Sequence, residues 1–145
     1  MLRIGICDDE REAREQLSLM LEFFSDREDM ELKIYQFSSG EGVVSWLKKH
    51  AGELDLLFLD IDMHKMDGIE TGKEIRKFDL KLSIAFLTGH PGQVFKGYSV
   101  GALDYLMKPL DKHKLREVLN RSILALQLAE KDNYTARNPY CPLYT

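Results

Sequence analysis

The sequence predicts an α/β sandwich, a parallel sheet covered by helices on both faces. Three observations predict it. Runs of strand length and apolar character recur at residues 2–7, 32–37, 54–60, 83–88 and 103–107. Stretches with helical spacing or helix-start signals separate them. Two runs, Leu2-Arg3-Ile4-Gly5-Ile6-Cys7 and Leu54-Asp55-Leu56-Leu57-Phe58-Leu59, end in acidic residues. Near-continuous apolar strands need burial on both faces, which a parallel sheet with alternating helices provides. Right-handed crossovers then give three layers.

Residues 2–7 read as a buried strand. Residues 10–26 follow as a helix, with Ala13, Leu17, Met20, Leu21 and Phe24 on one face at close to 3.6 spacing. The 32–37 run alternates like a half-buried edge strand. Ser38 with Glu41 makes a capping-box pattern for a helix to about His50, with Trp46 in the core. His50 sits where positive charge suits a helix end. Residues 54–60 are the second continuous apolar strand, and Asp67 with Glu70 starts a short helix to about Lys77. Residues 83–88 form another buried strand, and Pro91 suits the first turn of a helix over about 91–99. Residues 103–107 are a short strand that Pro109 stops. Asp111 opens a last helix with Leu115, Val118, Leu119, Ser122 and Leu126 facing inward. Beyond about Leu128 the period lapses. Residues 132–145, with two Pro and three Tyr, read as a tail or linker. The expected division is a folded domain at 1–128 and a tail at 129–145.

A chain of 145 residues is enough for one domain with a core. An apolar fraction of 44% beside 30% charged residues excludes a disordered chain. The net charge of −4 gives no general support for a nucleic-acid or membrane partner. Lys108, Lys112, Lys114, Arg116 and Arg121 read as a solvated helix face. Cys7 reads as a small buried hydrophobe and Cys141 lies in the tail, so neither a disulfide framework nor zinc spacing is present. No signal-peptide pattern or membrane-length run occurs, which predicts a cytoplasmic location.

Asp60 is the most informative residue. It follows the second apolar run, as Asp8-Asp9 follow the first. If both runs are parallel strands, three carboxylates meet at the carboxyl edge of the sheet, where ligands of open α/β sheets bind. Close carboxylates repel unless a cation neutralises them, so the set implies Mg²⁺. Asp9 and Asp60 suit direct ligation, with Asp8 acting through water. Thr88 and Lys108 also end predicted strands. A threonine hydroxyl can bond a phosphoryl oxygen, and a lysine can neutralise another. Phosphoryl transfer asks mainly for such positioning and neutralisation. Each residue alone has a plainer reading: Asp8-Asp9-Glu10 as acids favouring a helix start, Thr88 as a strand end, Lys108 as a solvated lysine.

Together, Asp8-Asp9, Asp60, the Asp67-Gly68 turn, Thr88 and Lys108-Pro109 resemble the receiver domain of two-component response regulators, over about residues 2–128. The segment Gly101-Ala102-Leu103-Asp104-Tyr105-Leu106-Met107-Lys108-Pro109 is most similar to regulators with a LytTR-type DNA-binding output. The resemblance implies a flavodoxin-like (βα)5 fold with strand order 2-1-3-4-5. It implies that Asp60 accepts a phosphoryl group from the phosphohistidine of a sensor histidine kinase. Asp62 matches the position whose backbone carbonyl ligates Mg²⁺. Tyr105 matches the aromatic that rotates as Thr88 moves toward the phosphoryl group. Such a domain is a signalling switch, not a turnover enzyme, and assists its own phosphorylation and dephosphorylation. The partners implied are the kinase, a second copy through the 91–126 face, and DNA only through an output domain that residues 1–145 do not show. His64 stands where the family often has proline. Asp62 and His90 flank the expected path of attacking water and bear on the dephosphorylation rate.

Two rivals remain at this level. A haloacid-dehalogenase-like phosphatase would use Asp60-Ile61-Asp62 as its nucleophile motif, but its acid pair comes late in the chain, not at residues 8 and 9. A receiver-like binding module would work by contact without phosphorylation.

Overall fold

The computed structural model describes the backbone of residues 1–137 and the side chains of residues 1–92 and 96–129. Five strands, β1 (Leu2–Cys7), β2 (Leu32–Phe37), β3 (Leu56–Asp60), β4 (Ser83–Thr88) and β5 (Asp104–Met107), form one sheet in the order β2-β1-β3-β4-β5. Every pairing is parallel. The helices are α1 (Arg11–Arg27), α2 (Gly40–Lys49), α3 (Gly68–Arg76) and α4 (Lys112–Arg137), with a 3₁₀ segment at Pro91–Val100. This is the flavodoxin-like order, with β2 the half-buried edge strand.

The strand alternation divides the core in two. Leu57, Leu59, Ile84 and Phe86 pack with Val43, Leu47, Ile69 and Ile75 of α2 and α3. Leu56, Phe58, Ala85 and Leu87 pack with Leu17 and Leu21 of α1 and Leu115, Val118 and Leu119 of α4. All of β3 is buried, which is why its sequence is continuously apolar up to Asp60. Each such side chain contributes about 2 kcal/mol by leaving water.

Several boundaries differ from the sequence reading, each for a local reason. The α2 cap is Ser39, not Ser38: Ser39 is extended and its Oγ accepts the Gly42 N–H at 3.0 Å. The third helical residue is thus Gly42, and Glu41 closes no capping box. Trp46 is only partly buried. It packs on Tyr35 and Phe37 of the edge strand and stacks on His50, with ring centroids 4.3 Å apart. β3 starts at Leu56 because Asp55 is engaged in a two-pronged ion pair with Arg3. The helix expected over 91–99 is a 3₁₀ segment; Gly92 and Gly97 weaken α-helix there, and Gly101 at φ 67° ends it. α4 runs to Arg137, past the expected lapse near Leu128, since neither Gly nor Pro interrupts it before Pro139. The rest of the expected tail, residues 138–145, lies outside the described residues.

The Asp67-Gly68 turn sets the floor of the site. Asp67 Oδ1 accepts the Glu70 N–H at 2.8 Å and caps α3 as expected. A Cβ on Gly68 would meet the Asp60 carbonyl oxygen at 2.2 Å, so only glycine lets α3 begin this close beneath Asp60.

Candidate functional site

β1 and β3 are neighbours, with Cys7 opposite Leu59, so the residues that follow them emerge side by side. Asp8 and Asp60 are each 1% exposed, and Asp9 is half-buried. One oxygen from each of Asp8, Asp9 and Asp60 lies within 4.8 Å of the others. Lys108 reaches in from the end of β5. Its Nζ lies 3.1 Å from Asp8 Oδ2 and 3.1 Å from Asp60 Oδ1. It donates a hydrogen bond to Asp8. Toward Asp60 it is close but off the hydrogen-bond direction, and the buried Asp60 Oδ1 has no hydrogen-bond partner among the described residues.

The electrostatics follow from this crowding. Burial, and then repulsion from Asp8, push the Asp60 carboxyl up to about 6, against the pull of Lys108. Burial lowers the Lys108 ammonium, but Asp60 and Asp8 more than offset it, so it is held above its ordinary value. Cys7 is pushed up to about 12 by burial and the neighbouring acids, and behaves as the expected inert hydrophobe.

The plainer reading of Asp8 also holds: its Oδ1 accepts the Glu10 N–H at 3.0 Å at the start of α1. Its other oxygen serves the pocket. Asp9 Oδ2 accepts the His64 N–H at 3.0 Å and ties the β1–α1 turn to the β3–α3 loop. Asp62 is exposed, and its Oδ2 accepts the Gly89 N–H at 3.5 Å. Thr88 is buried at the end of β4; its Oγ accepts the His90 N–H at 3.0 Å and donates to the His90 carbonyl at 3.2 Å. Tyr105 lies away from the carboxylates. It stacks on Phe86 with centroids 5.4 Å apart, and a Cβ on Gly97 would stand 2.8 Å from its hydroxyl. The structure therefore brings Asp8, Asp9, Asp60, Thr88 and Lys108 to one edge and sets Tyr105 against Phe86 and Gly97 of the 3₁₀ segment.

Sequence reasoning missed Arg14. Its Nη1 donates to the Asp8 carbonyl at 2.8 Å and its Nε to Gln36 Oε1 at 3.3 Å. A cation near a helix N-terminus runs against the helix dipole, and that was the available signal.

Comparison with known proteins agrees with this geometry. The chain is 32% identical to the sensory transduction protein LytT of Bacillus subtilis over 121 residues, which cover 83% of this chain and 48% of LytT. It thus spans about half the length of that relative. A response regulator receiver domain protein from Clostridium thermocellum has the same fold, with a TM-score of 0.78 over 89% of this chain and 99% of that one at 23% identity. A chain of the CheX–CheY–BeF3–Mg²⁺ complex from Borrelia burgdorferi is 28% identical, with a TM-score of 0.69 over 81% of this chain and 86% of that one. The phosphatase alternative finds no support among these matches. The response regulator receiver domain family matches residues 4–120. Since that stretch runs from β1 into α4 and takes in every acid of the pocket, the chain belongs to the response regulator receiver domain family.

Proposed function

We propose that Asp60 is the phosphoacceptor of a phosphorylation-driven switch, served by a sensor histidine kinase and assisted by Mg²⁺. One observation carries this reading: a buried Asp60 oxygen, without a hydrogen-bond partner among the described residues, stands among two more carboxylates and beside a lysine. That donor set is hard and oxygen-rich, which suits Mg²⁺. Asp9 and Asp60 would hold it directly and Asp8 through water, with the Asp62 carbonyl as the family-implied fourth position. When bound, the ion neutralises charge on the phosphoryl oxygens. An Asp60 carboxylate oxygen attacks the phosphorus of phosphohistidine. The P–N bond breaks, the imidazole leaves with the electron pair and takes a proton, and Asp60 carries an acyl phosphate. Water later attacks the phosphorus, the P–O bond breaks, and the carboxylate returns. Lys108, 3.1 Å from Asp60, neutralises a phosphoryl oxygen.

The test is incubation with acetyl phosphate and Mg²⁺, followed by intact mass. One base-labile phosphoryl group per chain is expected. Steady hydrolysis of a small phosphate ester without a stoichiometric adduct would overturn the reading, and so would no adduct at all. Asp9→Ala is expected to remove most of the Mg²⁺-induced rise in melting temperature; an unchanged rise would place the ion elsewhere.

The reading extends to output. Thr88 is engaged by His90 in this state. A phosphoryl group on Asp60 offers the Thr88 hydroxyl a new acceptor. Movement of Thr88 opens room for Tyr105, whose ring rests on Phe86 and whose hydroxyl faces Gly97 of the 3₁₀ segment. This supplies the two arrangements that an allosteric claim requires. Amide NMR with beryllofluoride is expected to show shifts spreading to residues around Tyr105 in the wild type. In Thr88→Ala they should shrink there while beryllofluoride still binds. Distant shifts that persist in Thr88→Ala would refute the route. Residues 91–126 are the face through which a second copy or an output domain would read the change. Residues 129–145 would lead out of the receiver, and DNA would be reached only through a further domain.

A further inference from the structure

We infer that Arg14 is a positioning residue for the Mg²⁺ site: it locks the backbone turn that presents Asp8 and Asp9. The inference rests on the phosphoacceptor reading and goes beyond it by assigning a residue outside the acid set.

The β1–β2 ladder ends with the Asp8 N–H donating to the Phe37 carbonyl at 3.1 Å. Past that bond the chain leaves the sheet and turns into α1. Arg14 supplies the Asp8 carbonyl with a donor there, at 2.8 Å. Gln36 of β2, through its bond to Arg14 Nε, holds the guanidinium from the far side. The planar fork thus links α1, the end of β1 and the edge strand, which a single-point ammonium cannot do as well. Both side-chain oxygens of Asp8 are committed as well, Oδ1 to Glu10 N–H and Oδ2 to Lys108. Asp8 is therefore fixed at its amide, its carbonyl and both carboxylate oxygens. Asp9 is the next residue, so its carboxylate is aimed by the same turn. The hydrogen bond it accepts from His64 N–H sets its far end. A metal site gains affinity when the groups behind its ligands hold them in place.

Position and charge make opposite predictions, which gives a decisive test. Arg14 is a cation bonded to the backbone of Asp8, one of three clustered carboxylates. If it acted by charge alone, removing it would deepen the negative potential and tighten Mg²⁺ binding. If it positions the turn, removing it weakens binding despite the gain in potential.

Arg14→Met keeps the apolar stem and removes every donor; Arg14→Lys keeps a charge and an ammonium in place of the fork. Mg²⁺ affinity is read by calorimetric titration of the wild type and both variants, and melting is recorded without Mg²⁺. The expected result is Mg²⁺ binding about tenfold weaker in Arg14→Met, with partial recovery in Arg14→Lys. Gln36→Leu is expected to fall between wild type and Arg14→Met. Equal or tighter binding in Arg14→Met would overturn the inference. If Arg14→Met fails to fold, Gln36→Leu carries the test, and wild-type affinity there would overturn the inference. Absence of Mg²⁺ binding in the wild type would instead strike the phosphoacceptor reading itself.

Discussion

Asp60→Asn is expected to abolish phosphoryl uptake from acetyl phosphate and, at the same time, to raise the stability of the metal-free domain. The first effect follows from loss of the nucleophilic carboxylate. The second follows from burial. Asp60 is 1% exposed and crowded by Asp8, and its carboxyl is pushed up to about 6. An acid with a folded-state pKa above its unfolded value favours folding most when protonated. That contribution is complete below pH ~4 and is lost as pH rises through about 6. Asparagine carries no charge and escapes the loss. A shift of this size corresponds to about 3 kcal/mol at pH 7, or roughly 10 °C in melting temperature. Melting curves of both proteins across pH 4 to 8 without metal check this: the gap should open between about pH 4 and 6 and then level off. A gap that closes with rising pH would show that the Asp60 charge is favourable in the apo fold. Uptake of a base-labile phosphoryl group by Asp60→Asn at the wild-type rate would move the acceptor to another residue.

Lys108→Met is expected to act in the opposite sense on stability. The Lys108 ammonium serves two buried carboxylates, Asp8 and Asp60, at 3.1 Å each. Removing one side of such a contact leaves charge buried without its counter-ion, which costs more than the intact contact contributes. With the lysine partly solvated, the loss is about 2 kcal/mol at pH 7 without metal. It should shrink in acid as the carboxylates protonate, and Mg²⁺ should restore more stability to the variant than to the wild type. In an Asp60→Asn background the same change should cost less, since only Asp8 is then left without a cation. Phosphoryl uptake should slow about a hundredfold, because a charge aimed at the transferring group is gone. Chemical melts of the four proteins at pH 4 to 8, with and without Mg²⁺, read the stability effects, and intact mass over time with acetyl phosphate reads the uptake. A variant as stable as wild type at pH 7 would mean that the lysine is dispensable to the apo pocket.

Both effects concern residues legible in the sequence, and the reason is specific. Leu56 to Leu59 are apolar at every position because β3 is covered on both faces, so the sudden Asp60 at its end stands out. Asp8 and Lys108 stand out likewise at the ends of β1 and β5. Parallel strands share a carboxyl edge, so strand-end residues converge whatever lies between them. The Asp67 cap was legible too, as a local hydrogen bond, and the Asp67-Gly68 turn as a motif, whereas the close approach of Gly68 to the Asp60 carbonyl appears only in the fold.

The sequence by itself thus determined the layers, the carboxyl ends of the strands and the acids that gather there, since these follow from periodicity and chain order. Tertiary structure decided what depends on approach in space. It turned 91–100 into a 3₁₀ segment lying against Tyr105, carried α4 on to Arg137, and left Trp46 half-buried at the β2 edge. It gave Thr88 to His90, left one Asp60 oxygen without a hydrogen-bond partner among the described residues, and brought Arg14 to the Asp8 carbonyl. Hydrogen bonds and burial are pairwise and directional. A pattern along the chain marks which residues carry a charge or a donor, and only the folded backbone settles which atoms they meet.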